Sequence, residues 1–273
     1  EGKILEGGCG LGQYVIYYKK LGYDIIGVDF AETTVQRTKE KFRDIPIQKG
    51  DVKSLDFKDR FFKAYFSGGV IEHFEEGPDI IIKEANRVLE NRGLFIVTVP
   101  YINLTRRIID FIRFKISRQG YIKIKDHNDC LNIYTIKSDF NNKEHFSDFS
   151  FHEYAFKKRE IHKIVSRYGF KLIFCTPVDI SWGIQDFNIF RRIFKKNKPA
   201  NTETHCFESQ LHLSNKEQSP FKKFLKKNII SENGSGFVGK AFLFIMRILF
   251  GHMILMVYEK QFSYEKFPSQ STS

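Results

Sequence analysis

A glycine-rich turn near the start of the chain constrains the fold more than any other feature. The segment ILEGGCGLG, residues 4–12, runs from apolar residues through Glu6 into a cluster of glycines, and an amphipathic stretch follows from Gln13 to Leu21. This order predicts a buried strand, a tight turn and a helix. Glycine is needed where a backbone turns sharply or lies directly against a ligand, because a Cβ atom would collide there. We therefore expect a nucleotide-type binding turn.

Apolar strand patterns and amphipathic helix patterns alternate along the first hundred residues. The predicted strands are 3–6, 24–28, 45–49, 64–67 and 94–99, and the predicted helices are 13–21, 32–42 and 78–89. Later patterns predict a helix over 158–168, a strand over 170–176, a helix over 237–250 and a buried strand over 252–259. Alternation of this kind predicts an α/β fold with a parallel sheet and right-handed crossovers.

Three acidic residues follow successive predicted strands. Glu6, Asp29 and Asp51 stand at the ends of the first, second and third strands. The carboxyl ends of parallel strands line one crevice, and ligands bind there. Asp29 is placed to accept both hydroxyls of a ribose, Asp51 to accept an adenine amino group, and Phe30 to stack on the base. Together with the glycine turn, these positions predict a site for a nucleoside-containing ligand.

The spacing of the glycines narrows the choice of ligand. A dinucleotide-binding turn has the pattern G-x-G-x-x-G, but Gln13 occupies the place of the third glycine. The observed pattern is instead Glu6-x-Gly8-x-Gly10-x-Gly12. In this pattern the chain resembles the class I S-adenosylmethionine-dependent methyltransferases, whose first motif is acid-x-Gly-x-Gly-x-Gly.

The resemblance extends along the chain to the small-molecule branch of that family. The matching segments are GVDF (27–30), GDVKSLDF (50–57), FSGGVIEHF (66–74), EANRVLENRGLFIVTVP (84–100), FHEYAFKKREIHKIVSRYGF (151–170) and GHMILMVYEK (251–260). It implies a Rossmann-like, seven-stranded, mostly parallel sheet with an antiparallel last strand, helices on both faces and lid insertions.

The same resemblance implies one methyltransferase domain over residues 1–273. Its core would comprise 1–100, 151–176 and 251–260, and the variable lid segments would be 101–150 and 178–250. Members of the family usually have a helix before the first strand. This sequence begins almost on that strand, so we expect the domain to be shortened at its N-terminus.

The glycine turn would hold the methionine part of S-adenosylmethionine, the cofactor that the resemblance implies. Gly8, Gly10 and Gly12 would let the backbone pass close to it. Glu6 would position its amino group, and Tyr14 would reach its carboxylate. The nucleoside part would lie beyond the turn, where the second and third strands end.

The resemblance also assigns residues to the nucleoside. Asp29 would hold the ribose and Phe30 would flank the adenine. Asp51 would read the edge of the base together with the backbone N–H of Val52. These assignments agree with the placement of the acids at the strand ends.

The reaction would transfer a methyl group from a sulfonium to a nucleophile, at oxygen or carbon. Ser67 and Gly68, after the fourth strand, would lie beneath the sulfonium region. His73 is the candidate catalytic base, because it follows the fourth strand and oxygen nucleophiles often need a base. The other candidates are His127, His145, His152 and Tyr154.

The charge of the chain bears on its partners. Formal net charge is +12, which favours an anionic partner or a solvated basic surface. Basic residues alternate with apolar ones over 191–198 and 221–230, a pattern typical of helices that lie on an anionic bilayer or of a lid that packs on the core.

We expect a small-molecule or lipid-linked substrate. FSGGVIEHF stands where methyltransferases of nucleic-acid bases carry an Asn-Pro-Pro-Tyr motif, so nucleic acid is disfavoured.

Cysteine usage predicts the compartment. The four cysteines at 9, 130, 175 and 206 form no CxxC pair, so we expect no zinc site, no other metal and no disulfide framework. We therefore expect a cytoplasmic location. The basic segments suggest that the protein could also contact the inner face of the membrane. Two alternative functions stay open: a non-catalytic binding protein with a nucleotide-binding fold, and a basic peripheral membrane protein.

Overall fold

A computed structural model gives the structure of the chain and describes residues 2–105, 108, 121–125, 132–136, 153–180 and 236–262. The chain divides into two compact units. The first comprises Glu1–Ile102, Ile112–Thr176 and Met253–Ser273, and the second comprises Asn103–Phe111 and Pro177–His252. The assignment of all 273 residues to one methyltransferase domain stays a prediction.

The described residues form ten strands and five α-helices. The strands are β1 (Ile4–Gly7), β2 (Ile25–Asp29), β3 (Ile47–Lys49), β4 (Phe62–Gly68), β5 (Leu89–Pro100), β6 (Tyr121–Lys125), β7 (Asn132–Ile136), β8 (Glu153–Ala155), β9 (Phe170–Val178) and β10 (Met253–Lys260). The helices are α1 (Gln13–Lys20), α2 (Glu32–Lys41), α3 (Asp79–Val88), α4 (Lys158–Arg167) and α5 (Gly236–Phe250). The predicted strands and helices are therefore found close to their expected bounds.

Seven of these strands form one sheet in the order β3-β2-β1-β4-β5-β10-β9. Strands β1 to β5 pair in parallel, and β10 pairs antiparallel with β5. Side chains of β10 alternate between half-buried and buried, with Ile254, Met256 and Tyr258 facing inward. This period of two is what a strand in a covered sheet requires. The predicted seven-stranded sheet with an antiparallel last strand is confirmed.

The helices cover the sheet through apolar faces spaced for a 3.6-residue turn. Helix α3 buries Ile81, Ile82, Ala85 and Val88 against a core that also contains fully buried Phe95. Such spacing places apolar residues on one side of a helix. The core therefore lies beneath the strand ends that carry the predicted site.

Residues 91–93 were predicted to form a turn before a strand, but they lie inside β5. Strand β5 starts at Leu89, which pairs with Phe62, and the register then shifts so that Ala64 pairs with Leu94. Arg92 has a positive φ of 62° within the shifted part. Extra residues opposite a shorter partner make a bulge and bend the strand. The predicted turn is thus built into the strand as an irregularity.

A second sheet lies within the segment 101–176. It is antiparallel and has the order β6-β7-β8. The polar and basic composition of 101–150 gave no strand prediction. Phe156, just after β8, donates its N–H to Pro100 O at 2.9 Å and accepts from Ile102 N–H at 3.0 Å. These bonds attach β8 beside the end of β5.

In the second unit, α5 packs its buried Leu243 with Ile180 and half-buried Phe242, Met246 and Phe250. This helix was predicted over 237–250. Within the part of the chain that the structure describes, no helix is both long and apolar enough to cross a membrane. The predicted basic segments 191–198 and 221–230, and the candidates His127, His145 and His152, lie outside the described residues.

Candidate functional site

The predicted site residues converge where four parallel strands end. Gly7 at the end of β1 is in register with Val28 of β2 and with Ser67 of β4. Beyond β3, Gly50 donates its backbone N–H to Asp29 O at 3.0 Å, which brings the adjacent Asp51 to the end of β2. Glu6, Asp29, Asp51 and Ser67 therefore share one edge of the sheet, as the sequence predicts.

The glycine turn wraps around the end of β2 and opens at its middle. The N–H groups of Gly8 and Cys9 donate to Val28 O at 2.8 and 3.0 Å. A Cβ atom on Gly8 would lie 2.5 Å from Val70 Cγ2, whereas a Cβ atom on Gly10 would meet no atom of the described residues within 4 Å. Gly10 has a φ of 52°, a backbone conformation that residues other than Gly rarely adopt. Gly8 thus serves packing, and Gly10 faces open space.

Asp29 fastens the turn to β2. Its Oδ2 accepts the N–H of Gly10 at 2.7 Å, and its Oδ1 accepts the N–H of Ala31 at 2.9 Å. The next residue, Phe30, is 75% exposed, so its ring is available to a planar ligand. A single carboxylate therefore orders the open part of the turn and the start of α2.

Glu6 is a buried acid with an unused oxygen. Its side chain is only 4% exposed, and among the described residues its Oε2 has no hydrogen-bond partner. Burial raises the pKa of the Glu6 carboxyl from 4.5 to about 7; a hydrogen bond from the Val15 backbone opposes the rise, and the charge of Asp29 adds to it. Buried polar atoms are almost always paired in native proteins. The unpaired oxygen is the arrangement expected of a group that receives a ligand's hydrogen-bond donor.

The end of β4 has a similar feature. Ser67 is fully buried, and within the described part of the chain its Oγ has no partner. A Cβ atom on the following Gly68 would lie 2.6 Å from Phe66 Cζ. The Phe66 ring meets the half-exposed ring of Tyr14 edge to face, with 5.1 Å between centroids. Tyr14 thus lies beside Phe66 of β4; its predicted contact with the cofactor's carboxylate stays a prediction.

The loop after β3 is shaped by Asp51. Its Oδ1 accepts the N–H of Lys53 at 2.8 Å, and its backbone oxygen accepts the N–H of Ser54 at 3.0 Å. The side chain of Val52 is buried, which fixes the backbone that was predicted to meet the adenine edge.

Arg87 and Glu84 of α3 clamp the far end of this loop, a role that the sequence gave no means to predict. Glu84 Oε1 accepts the N–H of Leu55 at 2.7 Å, while Arg87 Nη2 donates to Leu55 O at 2.9 Å. Arg87 also donates to both oxygens of Glu84, at 2.7 and 2.9 Å. Burial alone would raise the pKa of Glu84, but the bonds from Arg87 and Leu55 outweigh it and hold that pKa below its usual value.

The neighbouring residues Glu72 and His73, of which His73 is the candidate base, differ in burial. Both lie on a 3-10 turn, Ile71–His73, directly after β4. His73 is exposed, whereas Glu72 is 1% exposed and its Oε2 has no partner among the described residues. Burial raises the pKa of Glu72 to about 8, and the charge of Glu153 adds to the rise. The sequence places Glu72 beside His73 after the fourth strand but gives no signal for its burial or its raised pKa.

The other described candidate, Tyr154, is buried and donates its hydroxyl to Glu75 O at 2.5 Å. This bond joins β8 to the segment that follows the 3-10 turn. Among the described residues, no group of three or more His, Cys, Asp or Glu side chains is arranged to hold a metal ion.

Comparisons with known proteins agree with this arrangement. Residues 5–97 match the family model described as "Methyltransferase domain". A protein of Mycolicibacterium smegmatis named "Probable S-adenosylmethionine-dependent methyltransferase" is 29% identical over 97 residues, 36% of this chain and 37% of that protein. A protein of the same kind from Mycobacterium tuberculosis is 27% identical over 97 residues, 36% of this chain and 35% of its own. The match thus spans little more than a third of these relatives.

A solved structure supports the fold. The crystal structure of an S-adenosylmethionine-dependent methyltransferase from Methanosarcina mazei superimposes with a TM-score of 0.53 at 13% identity, covering 96% of this chain and 94% of that one. The sheet order and the family match therefore support a class I S-adenosylmethionine-dependent methyltransferase domain over residues 5–97. The cofactor that this class implies is S-adenosylmethionine.

The residues at the strand ends fit that cofactor. Gly10 leaves space where any side chain would stand, and Glu6 offers an unpaired buried oxygen to a cationic amino group. Such an acceptor next to an open backbone suits an amino acid moiety.

Proposed function

We propose that this protein is a methyltransferase that uses S-adenosylmethionine and acts on a small or lipid-linked molecule, at oxygen or carbon. The observation that carries the proposal is the open, left-handed Gly10 between two ordered carboxylates, Glu6 and Asp29. A turn of this form suits a ligand that presents an amino group and a ribose to neighbouring strand ends.

Each carboxylate has one proposed task. Glu6 holds the amino group of the cofactor, since its Oε2 lacks a partner among the described residues. Asp29 holds the ribose hydroxyls, and Asp51 with the Val52 N–H reads the adenine edge, because Asp51 uses only Oδ1 within its own loop. Phe30 flanks the base from its exposed position.

The rest of the proposed site surrounds the place of reaction. Gly8 and Gly12 shape the turn, Ser67 and Gly68 lie beneath the sulfonium region, and Tyr14 reaches the carboxylate of the cofactor. When bound, S-adenosylmethionine supplies an electrophilic methyl group. The chain's own residues align the acceptor and exclude water. His73 is retained as a candidate base.

Calorimetric titration with S-adenosylhomocysteine tests the proposal, using two matched glycine variants. Gly10→Ala and Gly22→Ala both place a side chain at positive φ, at 52° and 87°. In both, the new Cβ atom meets no atom within 4 Å in the described part of the chain. Each should cost about 1 kcal/mol of folding free energy for the left-handed backbone. Only Gly10→Ala should weaken binding, by about tenfold or more, because its methyl group occupies cofactor space.

Three outcomes would count against the proposal. Absence of binding by the unaltered protein at about millimolar ligand would refute it, since such a dissociation constant is already weak for a cofactor. Equal affinity in the two glycine variants would place the ligand elsewhere. Binding without methyl transfer to any acceptor in a substrate panel would favour the alternative of a non-catalytic binding protein.

Membrane association is a separate part of the proposal. It rests on the basic, apolar-interleaved sequences at 191–198 and 221–230, and on the attraction of such segments to anionic lipid. Co-sedimentation at low salt should show retention by vesicles containing phosphatidylserine and less by neutral phosphatidylcholine vesicles. Equal retention by both would contradict it and leave a soluble acceptor as the simpler choice.

A further inference from the structure

We propose that the carboxyl groups of Glu72 and Glu153 form a subsite that binds a cationic nitrogen of the methyl acceptor, an inference that rests on the proposed function. Neither residue has a part in the cofactor site described above. The acceptor class that follows is a molecule with an ammonium or amidinium group that anchors it while another atom is methylated.

The 3-10 turn that carries Glu72 lies directly against the glycine turn. Val70, two residues before Glu72, is the side chain that a Cβ atom on Gly8 would strike, at 2.5 Å. Glu72 Oε1 is 3.5 Å from the position of a Cβ atom on Gly69, at ordinary contact distance. The Glu72 carboxyl group therefore stands beside the backbone that follows β4.

The second sheet brings the other carboxylate to the same place. The hydroxyl of Tyr154 in β8 donates to Glu75 O at 2.5 Å, which fixes β8 beside the 3-10 turn. Glu153, the preceding residue, is half-buried and acts on Glu72 through its charge. A segment outside the family match, which ends at residue 97, thus contributes to the subsite.

The unpaired oxygen of Glu72 indicates that the subsite receives a hydrogen-bond donor. The side chain is 1% exposed, and no described residue donates to its Oε2. Leaving a buried acceptor without a partner costs about 1–3 kcal/mol. Two carboxyl groups at one place would be relieved together by a positive charge that also donates hydrogen bonds, and an organic nitrogen cation has both properties.

The protonation state of Glu72 links binding to pH. Burial raises its pKa to about 8, so the group is mostly neutral near neutral pH, and Glu153 adds to the shift. A bound cation would favour the ionised form and expel the proton. Met253 of β10, near Gly69, does not titrate. The titratable groups on the elements around Glu72 are Glu153 and Tyr154 of β8 and His73 and Glu75 of its own segment.

The test is calorimetry with benzylammonium and its neutral analogue benzyl alcohol, after saturation with S-adenosylhomocysteine. Benzylammonium should bind and benzyl alcohol should bind at least about tenfold more weakly. In phosphate and in MOPS at about pH 7, the difference in heat should correspond to about 0.9 proton released, the fraction expected for an acid with a pKa of about 8.

Three variants locate the effect. Glu72→Gln should lower benzylammonium affinity about tenfold or more and abolish proton release. The control Glu76→Gln, at a side chain that is 61% exposed, should change neither. Glu153→Gln, at a half-buried position, should lower the affinity for benzylammonium by a smaller factor. If Glu72→Gln does not fold, the result for Glu153→Gln tests the subsite.

The subsite proposal is overturned if benzylammonium does not bind at about 10 mM, or if wild type, Glu72→Gln and Glu153→Gln bind it equally. If S-adenosylhomocysteine fails to bind while benzylammonium binding depends on Glu72, the proposed cofactor function fails and the cation site stands. If S-adenosylhomocysteine binds and the amine does not, only the subsite fails.

Discussion

Replacing Arg87 by Met should uncouple the loop after β3 from α3. The guanidinium group bonds both oxygens of Glu84, Asp59 Oδ1 at 2.7 Å, and the backbone oxygens of Leu55 and Phe57 at 2.9 and 2.8 Å. Met keeps most of the aliphatic stem and removes every donor. The loss therefore measures the hydrogen bonds and the charge rather than the packing of the stem.

The size of the effect follows from the exposure of each partner. The Asp59 side chain is 73% exposed, so its pairing should contribute little. The Glu84 side chain is 13% exposed, and its carboxylate would lose its counter-ion in a nearly buried position. Breaking a buried pair costs about 3–5 kcal/mol; because Arg87 itself is one-third exposed, we expect about 3 kcal/mol.

Thermal and urea unfolding provide the assay. A loss of about 3 kcal/mol should lower the melting temperature by about 6–12 °C in a chain of this size. Glu84→Gln and the double variant complete a cycle whose coupling energy should be about 1–3 kcal/mol. Since the pKa of Glu84 is held below its usual value, the clamp stabilises the fold above the usual Glu range. This contribution is lost as pH falls through the lowered pKa.

The same variant should weaken S-adenosylhomocysteine binding, because Leu55 anchors the loop that carries Asp51 and Val52. A destabilisation below about 0.5 kcal/mol, the value of an exposed ion pair, would refute the reasoning. So would an additive double variant, because additivity would mean that Arg87 and Glu84 do not act together.

Two further predictions concern buried charged groups. Burial raises the pKa of Glu6 from 4.5 to about 7, so its stabilising contribution is complete below the lower value and is lost as pH rises toward the upper one. Glu6→Gln should therefore flatten the pH dependence of urea unfolding across that window, by about 1 kcal/mol per pH unit at most, and an unchanged slope would contradict the assignment. Lys260 is 3% exposed and donates to Asn86 O and Leu89 O at 2.6 and 2.7 Å; Lys260→Met should cost about 2 kcal/mol on unfolding. It should leave S-adenosylhomocysteine affinity unchanged, which makes it the control for Arg87→Met.

The sequence predicted the main sheet well because its strands have strong local signals. Apolar runs such as the one around Leu5, and alternation such as that in β10, need no tertiary information to be recognised. The sheet of β6, β7 and β8 left no such signal, because its segment is polar and basic. The bulge near Arg92 was predicted only as a turn, since register depends on the partner strand.

The candidate site shows the same division. The strand-end acids and glycines lie together because the topology of a parallel sheet places strand ends at one edge. The 3-10 turn and β8 determine that Glu72 is buried and His73 is exposed. Residue type and spacing alone do not reveal this. The clamp between Arg87 and Leu55 joins residues 32 positions apart, beyond the reach of any local pattern.

Asp29 has a consequence for how a cofactor would enter. A carboxylate has about four acceptor positions, and the N–H groups of Gly10 and Ala31 occupy only two. The remaining two equal the number of hydroxyls on a ribose, so the sugar can be held without breaking either backbone bond. The turn is thus pre-organised, and the entropy of ordering it is lost during folding rather than at binding. One carboxylate would then both hold the loop in its conformation and bind the sugar.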